Sequence, residues 1–163
     1  MPRPMAPLLE DRMKYDVFAL PVLFAAIALA FTFWLVRSRR VTPLDLSDLL
    51  SEGLGLTSKV LTPGDGPIAN QGDRVVVHYV GWLESGRKFD SSRDRGRPFA
   101  FWLGRGDVIK GWDAIVSRMR VGEKRLVRIP PDLAYGDRRA GIIPPGSPLV
   151  FEIELLSIED LRA

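Results

Sequence analysis

The richest run of chemically capable side chains is Asp90-Ser91-Ser92-Arg93-Asp94-Arg95, two serines set among carboxylates and guanidiniums. A serine nucleophile needs a general base beside it. The chain offers a single imidazole, His78, inside an apolar stretch that reads as a strand. A histidine so placed is expected to be a hydrogen-bonded structural residue, not a proton shuttle. The chain has no cysteine, which excludes thiol nucleophiles, disulfides and cysteine metal sites; one histidine excludes a histidine-rich metal site. Gly104-Arg105-Gly106 lacks the further glycines of a phosphate-binding loop. What remains is aromatic. Phe89, Phe99, Phe101, Trp102, Trp112, Tyr135 and Phe151 crowd one small region, several at expected strand ends or in loops, where core packing alone does not demand them. They point to an apolar cleft with a few polar groups, the usual form of a ligand site. Phe101 and Trp102 fit the core equally well.

Those residues need a frame. Arg74 to Leu83 is the strongest strand, with Val75, Val77 and Tyr79 on one face and Val76, His78, Val80 and Trp82 on the other. Glu84-Ser85-Gly86-Arg87 reads as a turn after it. Ser58 to Thr62, Phe99 to Leu103, Glu123 to Ile129 and Leu149 to Ser157 read as further strands. Trp112, Ile115, Val116 and Met119 fall at i, i+3, i+4 and i+7 and predict one short helix with a single apolar face. Asp113 near its start suits the helix dipole. The pattern predicts an α+β domain, an antiparallel sheet with one helix covering a face.

Ahead of this domain, residues 17–36 form a run of twenty uncharged residues. As a helix rising about 1.5 Å per residue, such a run spans about 30 Å, the hydrocarbon thickness of a bilayer. Trp34 and Tyr15 flank it as interfacial aromatics do, and Pro21 lies near its start. Ala28-Leu29-Ala30 resembles a signal-peptide cleavage site, but the apolar run continues for six residues beyond it, and the preceding tail carries Glu10, Asp11 and Asp16. An uncleaved anchor is the reading adopted. The chain then divides into a tail (1–16), a transmembrane anchor (17–36) that would meet membrane lipid, a linker (37–55) and a domain (56–163). Within the linker, Leu44 to Leu50 suggests a short amphipathic turn of helix. The 23 Lys and Arg are spread among 20 acids, without the dense basic stripe of a nucleic-acid binder.

Six segments occur in order along the domain: Val77-His78-Tyr79-Val80-Gly81, Lys88-Phe89-Asp90-Ser91-Ser92-Arg93-Asp94-Arg95, Pro98-Phe99, Val108-Ile109-Lys110-Gly111-Trp112, Pro131-Asp132-Leu133-Ala134-Tyr135-Gly136 and Gly141-Ile142-Ile143-Pro144-Pro145. Together they resemble the signature of the FK-binding-protein (FKBP) type of peptidyl-prolyl cis-trans isomerase, over roughly residues 56 to 160. The resemblance implies an antiparallel β half-barrel wrapped around one short α-helix, with an apolar pocket between them. It implies Trp112 as the pocket floor, and Tyr79, Phe89, Phe99, Val108, Ile109 and Phe151 as walls. It places Asp90 as a polar group at the rim, Tyr135 as a hydroxyl donor, the Ile109 N–H as the group that holds a substrate carbonyl, and Ile142 and Ile143 on a flap above. The expected partners are proline-containing polypeptides and macrolide immunosuppressant-type inhibitors, with no cofactor. Asp90, Tyr135, Trp112 and Phe89 are the residues expected to carry catalysis.

The sequence departs from the common family pattern in two places. Asp107 stands where a longer Glu or Gln is usual, a position the family uses mainly through its backbone. Asp137-Arg138-Arg139-Ala140 is one residue shorter than the matching loop of the small eukaryotic members and lacks their histidine. The residues beside the anchor leave its orientation open. Arg3, Arg12 and Lys14 precede it, and the tighter cluster Arg37, Arg39 and Arg40 follows, which favours a cytoplasmic domain. Anchored bacterial relatives commonly work outside the cytoplasm, and the resemblance therefore favours the opposite side.

Overall fold

A computed structural model describes residues 44–159. The expected anchor at 17–36 and the tail before it lie outside the described residues. Among the described residues no helix is long and apolar enough to cross a membrane. In chain order the elements are β1 (Leu50–Gly53), β2 (Leu56–Thr62), β3 (Arg74–Leu83), β4 (Lys88–Ser91), β5 (Phe99–Trp102), α1 (Lys110–Val116), β6 (Lys124–Ile129), a 3₁₀ turn (Pro131–Leu133) and β7 (Leu149–Glu159). The strands form one sheet in the order β1-β2-β6-β7-β3-β4, with β5 also on β3. Every pairing is antiparallel.

The two-residue alternation of β3 sets the layout. Val75, Val77 and Tyr79 are buried, while Val76, His78 and Val80 are half-buried on the other face. One side of β3 pairs along its whole length with β7. The other side is shared, its first half with β5 and its second with β4. The buried face meets Trp112, Ile115 and Val116 of α1, together with Val127, Ile129, Phe151, Ile153 and Leu155, in one apolar core. Gly111 lets the helix come close: a Cβ there would stand 2.4 Å from Ile129 Cγ2.

Three local expectations need correction. The helix ends at Val116, not at Met119; the Arg118 and Met119 N–H groups bond carbonyls three residues back, at 3.0 Å each, so the chain tightens into a turn. Met119 remains fully buried. Leu44 to Leu50 forms only a single hydrogen-bonded turn, with the Leu49 N–H on Leu46 O at 3.4 Å, and does not continue as helix. Asp45 accepts the Ser47 N–H at 3.1 Å within it. Finally, the stretch expected to be only a linker contributes β1. Glu52 holds it down, accepting from Ser58 Oγ at 2.6 Å and from Arg118 and Arg125 at 3.2 Å each.

Arg125 belongs to the inward-facing set of β6, beside Val127 and Ile129. A buried guanidinium is costly unless paired. Its Nε donates to Glu123 Oε1 at 2.6 Å, and Glu123 Oε2 in turn accepts the Arg120 N–H at 3.1 Å.

Candidate active site

The sheet and helix leave a cleft of about 180 Å³ lined by Tyr79, Phe89, Asp90, Phe99, Asp107, Val108, Ile109, Trp112, Tyr135 and Phe151. They come from several parts of the frame. Tyr79 and Phe151 are adjacent-strand residues on the buried face of β3 and β7. Phe89 and Asp90 lie on β4, and Phe99 opens β5. Val108 and Ile109 lead into α1, where Trp112 occupies the first turn. Tyr135 follows the 3₁₀ turn.

Trp112 is the centre of the aromatic cluster. Its ring centroid lies 4.9 Å from that of Tyr79, 5.3 Å from Phe151, 5.7 Å from Phe101 and 6.2 Å from Phe99. Most of these contacts are edge-to-face, the arrangement aromatic quadrupoles favour. The indole Nε1 is buried without a hydrogen-bond partner among the described residues, so packing of the rings, not a polar bond, holds the side chain. Within the wall, Phe89 and Phe151 meet edge-to-face at 5.5 Å. Gly81 makes room for them, since a Cβ there would stand 2.8 Å from carbons of both rings.

The polar side of the cleft is a three-residue network. Tyr79 Oη donates to Asp90 Oδ2, Arg95 Nη1 donates to Asp90 Oδ1, and Arg95 Nη2 donates to Tyr79 Oη at 2.8 Å. The guanidinium also stands 5.5 Å from the Tyr79 ring centroid. Burial pushes the Asp90 carboxyl up, but hydrogen bonds from Tyr79, Arg95 and the Ser91 N–H together hold it below the ordinary aspartate value. Burial, followed by the bond to Asp90, raises the Tyr79 phenol above its ordinary value. At neutral pH the network therefore holds a charged carboxylate and a neutral phenol. Ser92 fixes the loop that carries it: its Oγ accepts the Tyr79 N–H at 2.8 Å and lies 3.0 Å from His78 Nδ1. His78 is thus the hydrogen-bonded strand residue the sequence implied.

The structure brings together nine of the eleven expected site residues, and adds Asp107. Ile142 and Ile143 do not line the cleft. The Ala140–Ile143 bridge closes a tight turn, with Gly141 at φ 58, that leaves Ile142 43% exposed and sends Ile143 into the core. The sequence alone assigns no role to Arg95. The signal was present, a cation five residues beyond Asp90, but only the folded turn shows that it reaches back. Asp107 lines the wall while its Oδ2 accepts the Trp102 N–H at 3.1 Å.

An antiparallel sheet covered by one helix, with an aromatic cleft edged by a Tyr–Asp–Arg network, has the form of an apolar ligand site. Comparison with known proteins makes the class specific. A model of the FKBP-type peptidyl-prolyl cis-trans isomerase family matches residues 66–156. The chain is 52% identical over 107 residues to FK506-binding protein 1 of Yarrowia lipolytica, covering 64% of this chain and 99% of that protein. It is 47% identical over 108 residues to the peptidyl-prolyl cis-trans isomerase Fkbp12 of Drosophila melanogaster, covering 65% and 100%. Among solved structures it resembles AtFKBP13, with a TM-score of 0.66 and 44% identity, over 69% of this chain and 99% of that one. FkpA from Escherichia coli aligns with a TM-score of 0.65 and 39% identity, over 69% of this chain and 52% of that one. The chain belongs to the FKBP family, and its domain is an FKBP-type peptidyl-prolyl cis-trans isomerase.

Proposed function

We propose that this chain accelerates rotation about Xaa-Pro bonds in client polypeptides beside a membrane, to which residues 17–36 anchor it. The observation that carries the catalytic half of this reading is the convergence of nine expected site residues on one aromatic cleft. The resisting force is amide resonance, a barrier of about 18–20 kcal/mol. Uncatalysed rotation takes tens to hundreds of seconds, slow enough to limit folding. Rotation makes and breaks no covalent bond, so no nucleophile, metal or cofactor is required. The planar amide has a more polar carbonyl than the twisted one. Moving it from water into aromatic walls raises the planar form relative to the twisted form. A cleft shaped to the twisted amide adds differential binding, and each 1.4 kcal/mol so gained is about tenfold in rate.

In this reading the proline ring sits on Trp112, between Tyr79, Phe99 and Phe151. Ile109, with extended backbone (φ −62, ψ 146) at the head of α1, turns its N–H to the substrate carbonyl; that N–H has no hydrogen bond among the described residues. Tyr135 supplies a hydroxyl donor. Asp90, held by Tyr79 and Arg95, is a fixed negative wall facing the amide. The relative from Yarrowia lipolytica is named for binding FK506, and the same cleft is proposed to take a macrolide of that kind.

The deciding experiment is a protease-coupled assay of cis-to-trans conversion in a prolyl peptide. Acceleration by the purified chain, inhibited by the macrolide, is expected. No acceleration at micromolar protein would leave only a binding module. The anchor is tested separately by carbonate extraction of membranes from expressing cells; a soluble protein beginning at Phe31 would favour a cleaved signal peptide. The resemblance to anchored bacterial relatives supports a domain facing outward from the cytoplasm, against the Arg37, Arg39 and Arg40 cluster; protease added to intact cells should then remove it.

A further inference from the structure

The tip of the β1–β2 hairpin carries a leucine that its surroundings do not explain. Gly53 pairs with Leu56, so Leu54 and Gly55 form a two-residue turn. Both have positive φ, 54° and 77°. The first position of such a turn favours Asn, Asp or Gly, because a β-carbon is strained there. Leu54 is the one non-glycine residue with positive φ among the described residues, and it is 74% exposed. No packing inside the domain offsets either penalty. A strained residue at an exposed position is a reason to look for an external contact.

The path of the chain says what that contact is. The Leu44 N–H bonds Glu84 O at 3.4 Å in the turn after β3. Glu84 also holds Arg128, which pairs with Thr57 at the start of β2, and Gly55 abuts Pro130. Leu44 and Leu54 therefore lie along the same end of the sheet, separated by the three steps β3–β7–β6–β2, about 14 Å at ordinary strand spacing. Only seven residues, 37–43, separate Leu44 from the apolar run, and seven residues reach at most about 25 Å.

We propose that Leu54 is a lipid contact, a hairpin tip that enters the membrane interface and fixes the orientation of the domain on the bilayer. The proposal rests on the anchor reading above. One leucine is a weak membrane ligand for a free protein, but a tethered tip meets the surface at high effective concentration.

The chain has no cysteine, so a single introduced one gives a unique attachment site. A nitroxide at Ser51→Cys leaves Leu54 intact, and one at Gln71→Cys reports from the opposite end of the sheet. Full-length protein is placed in phosphatidylcholine–phosphatidylglycerol vesicles, and collision with oxygen and with a water-soluble nickel complex is measured. The Ser51 label should become several-fold more oxygen-favoured than the Gln71 label. It should revert to the aqueous ratio in Leu54→Asn, a substitution that suits this turn and so preserves folding. A Ser51 label that stays aqueous while the protein floats with the vesicles overturns the proposal and leaves the anchor standing. Protein that does not float at all overturns the anchor, and the tip contact with it. A label shielded from both reagents means that protein covers the tip, which overturns the lipid assignment.

Discussion

Gly81→Ala is the smallest change that tests how the cleft wall is built. The added Cβ would stand 2.8 Å from Phe151 Cε1 and from Phe89 Cε2 and Cζ. Comfortable carbon contacts lie at about 3.5–4.0 Å, so both rings must retreat by roughly 0.7–1.2 Å. Gly81 lies within β3 and does not have positive φ, so alanine fits the backbone and gains about 0.4–1 kcal/mol from a less mobile unfolded chain. Overpacking costs about 1–3 kcal/mol. The net is a destabilisation near 1.5 kcal/mol, or roughly 5–10 °C in Tm for a domain of this size. The rings retreat toward the cleft, so kcat/KM for a prolyl peptide should fall about tenfold, as for a one-carbon misfit in an apolar pocket. Calorimetry and the coupled assay measure the two effects. If both Tm and kcat/KM match the parent, the Phe89–Phe151 pair yields freely and the wall is not sterically fixed by this glycine.

Trp112→Ala should cost about 3–5 kcal/mol in stability, read by denaturant titration, and weaken peptide and macrolide binding together; Tyr135→Phe should slow turnover only a few-fold to about tenfold, the worth of one hydroxyl at about 0.5–1.5 kcal/mol. The pH profile follows from the network. The depressed Asp90 carboxyl contributes stability that is complete above the ordinary aspartate pKa, about 3.9, and is lost as pH falls through its folded value. The raised Tyr79 phenol contributes stability that is complete below its ordinary pKa, about 10, and is lost as pH rises through its folded value. Between about pH 6 and 8 both contributions and the turnover rate should be flat, in the parent and in His78→Asn alike; a rate that follows one ionisation in the parent and loses it in His78→Asn would make the histidine a proton carrier. Glu52→Ala should leave Arg125 short of a partner and destabilise by about 1–3 kcal/mol, detected by chemical unfolding, with peptide turnover near that of the parent because β1 borders only β2.

The sequence was most informative where local periodicity and tertiary demand agree. β3 was legible to the residue, because Val75, Val77 and Tyr79 alternate strictly with half-buried neighbours. The aromatic residues announced a cleft, but periodicity alone did not say which of them meet; the order of motif segments supplied that. β1 was illegible, since Leu50-Ser51-Glu52-Gly53 has no alternation and is secured by bonds from Glu52 to residues 66 and 73 positions away. Arg125 illustrates the same difficulty, since only its pairing with Glu123 and Glu52 explains a cation among Val127 and Ile129 on the inner face. The helix end is not legible, because Met119 has the right spacing for the apolar face yet reaches the core from a turn.

The position of β1 at the outer edge of the sheet also governs how the domain bears force. Load arriving from the chain before Leu44 meets first the Leu44–Glu84 bond and the Asp48–Lys59 ion pair, and then β1, a hairpin arm pulled from its open end. In that direction the β1–β2 bonds break in succession, not all at once, and the Glu52 contacts to Arg118 and Arg125 give way with them. The aromatic cleft hangs on β3, β4, β5, β7 and α1, none of which pairs with β1. Tension on the N-terminal side thus falls first on a strand that contributes no residue to the aromatic cleft, a mechanical fuse ahead of the isomerase site.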